Sequence, residues 1–117
     1  MTLKRVGILT GGGDCSGLNA VIRAATRSAI IEHKAEVVGI ENGFDGLIFD
    51  HHRMLGITDT KEILPLGGTI LGTTNKGHPF EYREFDKEGR VTIQDYSKQT
   101  IENFNKLKLD CLFVVGG

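Results

Sequence analysis

The stretch RVGILTGGGDCSGLN, residues 5–19, predicts a buried strand that leads directly into a helix. Its apolar run at residues 6–10 is typical of a parallel strand covered on both faces. Glycine loses more backbone freedom on folding than any other residue, so three glycines at 11–13 indicate a loop that something must approach closely. The apolar residues at helical spacing that follow are Leu18, Val21, Ile22, Ala25 and Ala29.

The remaining chain predicts an α/β fold. Residues 36–40 form a second predicted strand, which completes a βαβ unit. The helix after the glycines has three candidate caps, Asp14, Ser16 and Asn19. In the middle of the chain we predict an exposed loop pair, His51–His52, a short helix at 58–64 and a hairpin within 81–95 that turns at 86–89. Towards the end we predict a helix at 97–108, with Ile101, Phe104 and Leu107 pointing inward, and a strand at 111–115. Together they predict a Rossmann-like three-layer sandwich with a mostly parallel sheet.

Composition favours one ordinary globular domain. The 117 residues are 39% hydrophobic and 25% charged, with a net charge of −1, which gives no support for a nucleic-acid or anionic-membrane surface. No apolar stretch approaches the ~20 residues of a membrane span, and no secretory signal is visible, so we expect a cytoplasmic protein. Cys15 and Cys111 are expected to be free thiols, and no paired spacing of Cys and His indicates zinc.

The triple glycine stands where phosphates bind in α/β proteins, between the carboxyl end of a strand and the start of a helix. Two common phosphate loops are excluded by particular residues. The dinucleotide fingerprint needs Gly where Ser16 stands, and the Walker A loop needs Lys and Ser or Thr where Leu18 and Asn19 stand. The remaining interpretations are another phosphate loop or a tight turn that needs positive φ.

Four motifs in order resemble the phosphofructokinase A family. They are GILTGGGDCSGLNAVIR (7–23), VVGIENGFDGL (37–47), GGTILGTTNKGHPF (67–80) and LDCLFVVGG (109–117). Ser16 departs mildly from the family pattern, in which Pro is commoner. The resemblance implies the N-terminal, incomplete part of a phosphofructokinase fold over residues 1–117. It also implies a 6-phosphofructokinase, which transfers a phosphoryl group from ATP, or from pyrophosphate in some members, to the 1-hydroxyl of fructose 6-phosphate with Mg²⁺.

The resemblance also assigns roles to residues of this chain. The expected donor-binding residues are Gly12, Gly13, Phe44, Asn75 and Lys76, with the Gly13 amide on the phosphates and Phe44 near the nucleotide. Asn75 stands where many bacterial members have Arg, whose charge can stabilise the transferring group, and Lys76 is the candidate to supply that charge instead. The choice between ATP and pyrophosphate therefore stays open, with ATP favoured.

The last expectations concern regulation and what lies beyond this sequence. Arg23 and Arg27 match effector-binding positions of some family members, although they could equally form the solvated face of a helix. The metal-binding Asp is expected just after Gly117 and the catalytic base later, so these residues alone should be inactive. Residues 112–115 should then expose apolar surface. The whole protein is expected to form a homo-oligomer, and the alternative function is a non-catalytic nucleotide-binding module.

Overall fold

The computed structural model describes residues 4–11, 17–61, 69–72 and 79–116. The strands are β1 (Arg5–Gly11), β2 (Glu36–Ile40), β3 (His52–Leu55), β4 (Tyr82–Phe85), β5 (Val91–Gln94) and β6 (Cys111–Gly116). The helices are α1 (Leu18–His33), α2 (Phe44–Phe49) and α3 (Ser97–Lys106), with a 3₁₀ turn at Thr58–Thr60. Four strands form one sheet in the order β3–β2–β1–β6, in which β1 is parallel to both neighbours and β3 is antiparallel to β2.

Helices cover both faces of this sheet. Successive residues of a strand point to opposite faces, so Val6 and Ile8 of β1 pack with Ile22 of α1, whereas Leu9 faces α2 and α3. On that second face the buried residues are Leu9, Val38, Ile40, Leu47, Leu107 and Leu109, with Phe44, Phe104 and Leu112 partly buried beside them. The predicted three-layer α/β sandwich with a mostly parallel sheet is confirmed.

A separate antiparallel hairpin, β4–β5, packs beside α2. The prediction of a hairpin within residues 81–95 is confirmed, and its turn is closed by Asp86, whose carboxylate accepts bonds from the Glu88 and Arg90 amides. Three aromatic rings join the hairpin to α2, because Phe49 lies 5.6 Å from both Tyr82 and Tyr96, and the two tyrosine rings lie 5.3 Å apart. Their edge-to-face geometry is the favoured one for aromatic pairs.

Some predicted contacts of the helices are wrong. Val21 is 43% exposed and Ile101 is 59% exposed, because each lies on the side of its helix that points away from the sheet. The N-cap residue of α1 is Gly17, with φ 92°, and no side-chain hydrogen bond caps the helix there. Asn19 lies inside the helix and is therefore not its cap. Asp14 and Ser16 lie outside the described residues. The expected apolar exposure at 112–115 holds for Phe113, 44% exposed, and Val114, 54% exposed, whereas Leu112 and Val115 are partly buried.

The predicted helix at 58–64 is also wrong over its described part. It is a single 3₁₀ turn, and the backbone of Lys61 is already extended. Local side-chain bonds favour this tighter turn: Thr60 donates its hydroxyl to the Ile57 carbonyl at 2.7 Å, and Asp59 accepts from the Gly56 amide at 2.7 Å. His52 is exposed as predicted but belongs to β3 rather than to a loop, because it pairs with Ile40.

Candidate functional site

The carboxyl ends of the parallel strands meet at one edge of the sheet. Gly11, the last residue of β1, pairs with Gly116 of β6, and β2 ends at Ile40 on the other side of β1. The loop that follows β1 and the end of the described chain therefore leave the sheet from neighbouring positions. Among the predicted donor-binding residues, only Phe44 is described; Gly12, Gly13, Asn75 and Lys76 lie outside the described residues.

A chain of hydroxyl bonds holds residues 69–72, the described part of the second glycine motif, against the end of β1. Thr10 is fully buried and donates its hydroxyl to the Gly72 carbonyl at 2.8 Å. Its oxygen lies 3.0 Å from the Thr69 hydroxyl, and Thr69 accepts from the Leu71 amide at 3.1 Å. Because each hydroxyl has one proton, the donors run in one direction: Leu71 to Thr69, Thr69 to Thr10, and Thr10 to Gly72.

Two asparagines hold the same segment from other sides. Asn19, in the first turn of α1, is 2% exposed, and its Oδ1 accepts from the Ile70 amide at 2.7 Å. The backbone N–H of Asn42, just after β2, donates to the Leu71 carbonyl at 2.8 Å. Gly72 has φ +74°, a backbone conformation that favours glycine, and a Cβ there would also require Asn42 Oδ1, 2.5 Å away, to move. We call Thr10, Asn19 and residues 69–72 the polar clasp.

Phe44 lies at the same edge, at the first residue of α2. The turn at residues 41–43 connects it to the end of β2, and Gly43 precedes it with φ 64°. Its side chain is partly buried against the apolar cluster around Leu9 and Ile40. The structure therefore places this ring at the rim of the core, next to the end of the parallel strands.

The short helix α2 is fixed by contacts along its length. Gly46 packs directly on backbone, since a Cβ there would lie 2.2 Å from the Glu41 carbonyl oxygen and 2.6 Å from that of His51. At its far end, Asn103 and Gln99 of α3 donate to carbonyls of Leu47 and Ile48 at 2.7–2.8 Å. These bonds satisfy backbone acceptors that the end of a helix leaves open.

Charged groups near α2 attach it to its neighbours rather than form a reactive centre. Asp50, which follows α2, accepts from Lys106 Nζ at 3.0 Å and lies 2.9 Å from His52 Nδ1. The bond from Lys106 lowers the pKa of Asp50, with burial opposing and the charges of Lys106 and His52 assisting. On the hairpin side, burial raises the pKa of Tyr82, and the neighbouring Asp45 carboxylate raises it further.

The two predicted effector residues lie on α1, and both are half-buried. Arg27 donates from Nε to the Thr60 hydroxyl at 3.2 Å, which ties α1 to the 3₁₀ turn. The structure thus adds a scaffold contact for Arg27 and leaves its effector role a prediction.

The described part of this edge carries amides and hydroxyls that bond to one another, with an aromatic ring beside them. The described ranges contain no group of three or more His, Cys, Asp or Glu that could hold a metal ion. Within the same ranges, no helix has both the length and the apolar character needed to cross a bilayer. Sequence reasoning missed Thr10, Asn19 and Asn42, because their partners are distant in sequence; only the polar Thr10 at the end of an apolar strand gave a signal.

The fold is that of an α/β protein with a mostly parallel sheet, in which residues 69–72 lie against the end of β1. A family model described as phosphofructokinase matches residues 5–117, and the chain belongs to the phosphofructokinase family.

Two relatives and one solved structure illustrate what the chain is similar to. The chain is 44% identical over 115 residues to ATP-dependent 6-phosphofructokinase 2 of Clostridium perfringens, covering 98% of this chain and 31% of that protein. It is 41% identical over 113 residues to pyrophosphate--fructose 6-phosphate 1-phosphotransferase of Amycolatopsis methanolica, covering 97% of this chain and 30% of that protein. The crystal structure of Pichia pastoris phosphofructokinase in the T-state matches with a TM-score of 0.77 and 32% identity, over 100% of this chain and 11% of that one. The chain thus spans about 31% of the length of these curated relatives.

Proposed function

We propose that residues 1–117 are the N-terminal part of a 6-phosphofructokinase and form part of its site for the phosphoryl donor. The reaction is transfer of a phosphoryl group from ATP to the 1-hydroxyl of fructose 6-phosphate, giving fructose 1,6-bisphosphate. The observation that carries the proposal is the polar clasp, which holds the second glycine motif at the end of the strand that leads into the first. Family membership supports the reaction type.

Each predicted donor residue has a physical role in this proposal. The backbone amides of Gly12 and Gly13 donate hydrogen bonds to the phosphates of ATP. The phosphates can approach closely because glycine has no Cβ atom. The Phe44 ring supplies an apolar contact for the nucleotide base. Asn75 donates hydrogen bonds and Lys76 supplies a positive charge to the transferring group. Preorganised donors of this kind are usually the largest contribution to phosphoryl transfer.

The chemistry itself is assigned to residues beyond Gly117. The resemblance to the family implies that Mg²⁺, the base that activates the sugar hydroxyl and the groups that bind fructose 6-phosphate are held by those other residues. In this proposal, residues 1–117 bind and orient the donor.

The donor can be decided by direct assay. ATP is favoured by the name of the Clostridium perfringens relative, whereas the Amycolatopsis methanolica relative, at 41% identity, is named for pyrophosphate and keeps that donor as the second candidate. The whole protein encoded by the gene should phosphorylate fructose 6-phosphate with Mg²⁺ and ATP. Turnover with pyrophosphate alone would move the proposal to the second donor. Nucleotide binding without turnover with either donor would support the non-catalytic module instead.

The remaining predictions belong to the same proposal. We propose that Arg23 and Arg27 bind the phosphates of a regulatory nucleotide and that the whole protein is a cytoplasmic homo-oligomer. Titration with a nucleoside diphosphate should then change the sugar-phosphate dependence of the wild type and not of Arg23→Ala. An unchanged response in that variant would leave Arg23 as part of a solvated helix face. Sedimentation of the whole protein tests the oligomer.

A further inference from the structure

We infer that Thr10 and Asn19 are positioning residues for the phosphoryl donor, because the polar clasp holds residues 69–72 against the end of β1 and the first turn of α1. The inference rests on the proposed function and goes beyond it. Neither side chain needs to touch the donor. Their effect passes through residues 69–72, which lead into Asn75 and Lys76.

Burial makes the Thr10 hydroxyl a specific contact. The residue is 0% exposed, so its hydroxyl cannot exchange a lost partner for bulk water. Removing it would leave the Thr69 hydroxyl without its acceptor and the Gly72 carbonyl without its donor. Loss of these two bonds would weaken the connection between β1 and residues 69–72.

The position of Thr10 makes the contact relevant to the donor. Thr10 is followed by Gly11 and then by Gly12 and Gly13, whereas its partner Gly72 is followed, after two threonines, by Asn75 and Lys76. One hydroxyl thus connects residues that precede each predicted donor segment in the sequence, although 62 positions separate the bonded residues. Small displacements in such a site reduce rates strongly, because binding groups must meet the donor in one geometry.

Asn19 supplies a second, independent connection. Its amide oxygen accepts from the Ile70 amide at 2.7 Å, and it lies in the first turn of the helix that follows the first glycine motif. The clasp therefore holds residues 69–72 both from the strand before that motif and from the helix after it.

The chain contains a matched control for a test. Thr26 of α1 is also 0% exposed, but its hydroxyl has no hydrogen-bond partner within the described part of the chain. Thr10→Val and Thr26→Val make the same chemical change at equal burial, and only the first removes a clasp bond. Thr10→Ser keeps the hydroxyl. Thr69→Ala removes the next hydroxyl of the chain at a half-buried position and serves if Thr10→Val does not fold.

The whole protein and these variants are assayed for both substrates. Thr10→Val should raise the KM for the donor about tenfold and leave the KM for fructose 6-phosphate unchanged. A tenfold change corresponds to the loss of one to two hydrogen bonds. Thr10→Ser and Thr26→Val should stay within about twofold of the wild type, a change worth only a few tenths of a kcal/mol. A purely structural role would lower the active fraction and kcat while leaving both KM values unchanged.

Two results overturn the inference in different ways. The positioning role is excluded if Thr10→Val and Thr26→Val have equal KM values for the donor. If Thr10→Val does not fold, the role is excluded by equal donor KM values for Thr69→Ala and the wild type. Either result leaves the proposed function intact. A wild-type protein that is inactive with both ATP and pyrophosphate removes the proposed function and the inference with it.

Discussion

Gly46→Ala should destabilise the protein far more than an Ala in a helix normally would. Alanine is favoured over glycine inside a helix by about 1 kcal/mol, so propensity alone predicts a gain. The added Cβ, however, would lie 2.2 Å from the Glu41 carbonyl oxygen, 2.6 Å from the His51 carbonyl oxygen and 2.8 Å from the Glu41 nitrogen. All three are backbone atoms, so no side chain can rotate away.

The size of the effect follows from the movement required. Ordinary contact begins near ~3.5 Å, so α2 must shift by about 1 Å. This shift strains the bonds from the His51 amide to the Gly46 carbonyl, 2.8 Å, and from the Glu41 amide to the His51 carbonyl, 3.0 Å. Overpacking costs about 1–3 kcal/mol and each lost hydrogen bond about 1 kcal/mol. After the gain in helix propensity, the free energy of unfolding should fall by about 2–4 kcal/mol.

Urea denaturation of the whole protein measures this change, and Gly56→Ala is its control. A Cβ at Gly56 meets only an oxygen of the Asp59 side chain, at 3.5 Å, so that variant should remain within about 0.5 kcal/mol of the wild type. Equal stabilities for the two variants would refute the argument that α2 rests directly on the backbone of residues 41 and 51.

Two further predictions concern the hairpin and acid stability. Tyr82→Phe keeps the ring but removes the hydroxyl interaction with Asp45, so the hairpin should detach more readily and its turn should be cleaved faster by protease than in the wild type. Bonds from the Arg5 and Lys4 amides lower the pKa of Asp110, so its stabilising effect is present above the ordinary carboxyl pKa and is lost as the pH falls through the lowered value. Asp110→Asn should therefore lose less stability than the wild type as the pH falls below the ordinary carboxyl pKa of about 4 in acid denaturation.

Local patterns in the sequence predicted most of the elements because strands and helices depend on neighbouring residues. The apolar run at 6–10 and the helical spacing from Leu18 are examples, and the structure confirms both elements. Errors arose where tertiary contacts decide, as at Val21 and Ile101, whose exposure depends on what each helix packs against. The helix predicted at 58–64 was lost to side-chain bonds within the turn, which compete with the helical pattern.

The candidate site was predictable only in its location. Three consecutive glycines after a strand indicated the edge where we propose that the donor binds. The contacts observed there join residues far apart, 62 positions between Thr10 and Gly72 and 51 between Asn19 and Ile70. Asn19 illustrates the difficulty, because its position at a helix start fitted a cap equally well. The requirement for glycine at Gly46 likewise depends on backbone that returns from residues 41 and 51.

Residues 69–72 are anchored by two kinds of interaction that do different work. Leu71 is 2% exposed and enters the core beside Gly39, where a Cβ would lie 2.7 Å from its Cδ2 atom, so the absence of a side chain at Gly39 sets how deeply the segment sits. Apolar packing is non-directional, however, and cannot by itself fix how the following backbone points. Hydrogen bonds are directional, and the Asn19 and Thr10 bonds act on the Ile70 amide and the Gly72 carbonyl, on either side of Leu71. Depth therefore comes from Leu71 and orientation from the polar clasp, which is why removing a single buried hydroxyl should alter donor binding without unfolding the sheet.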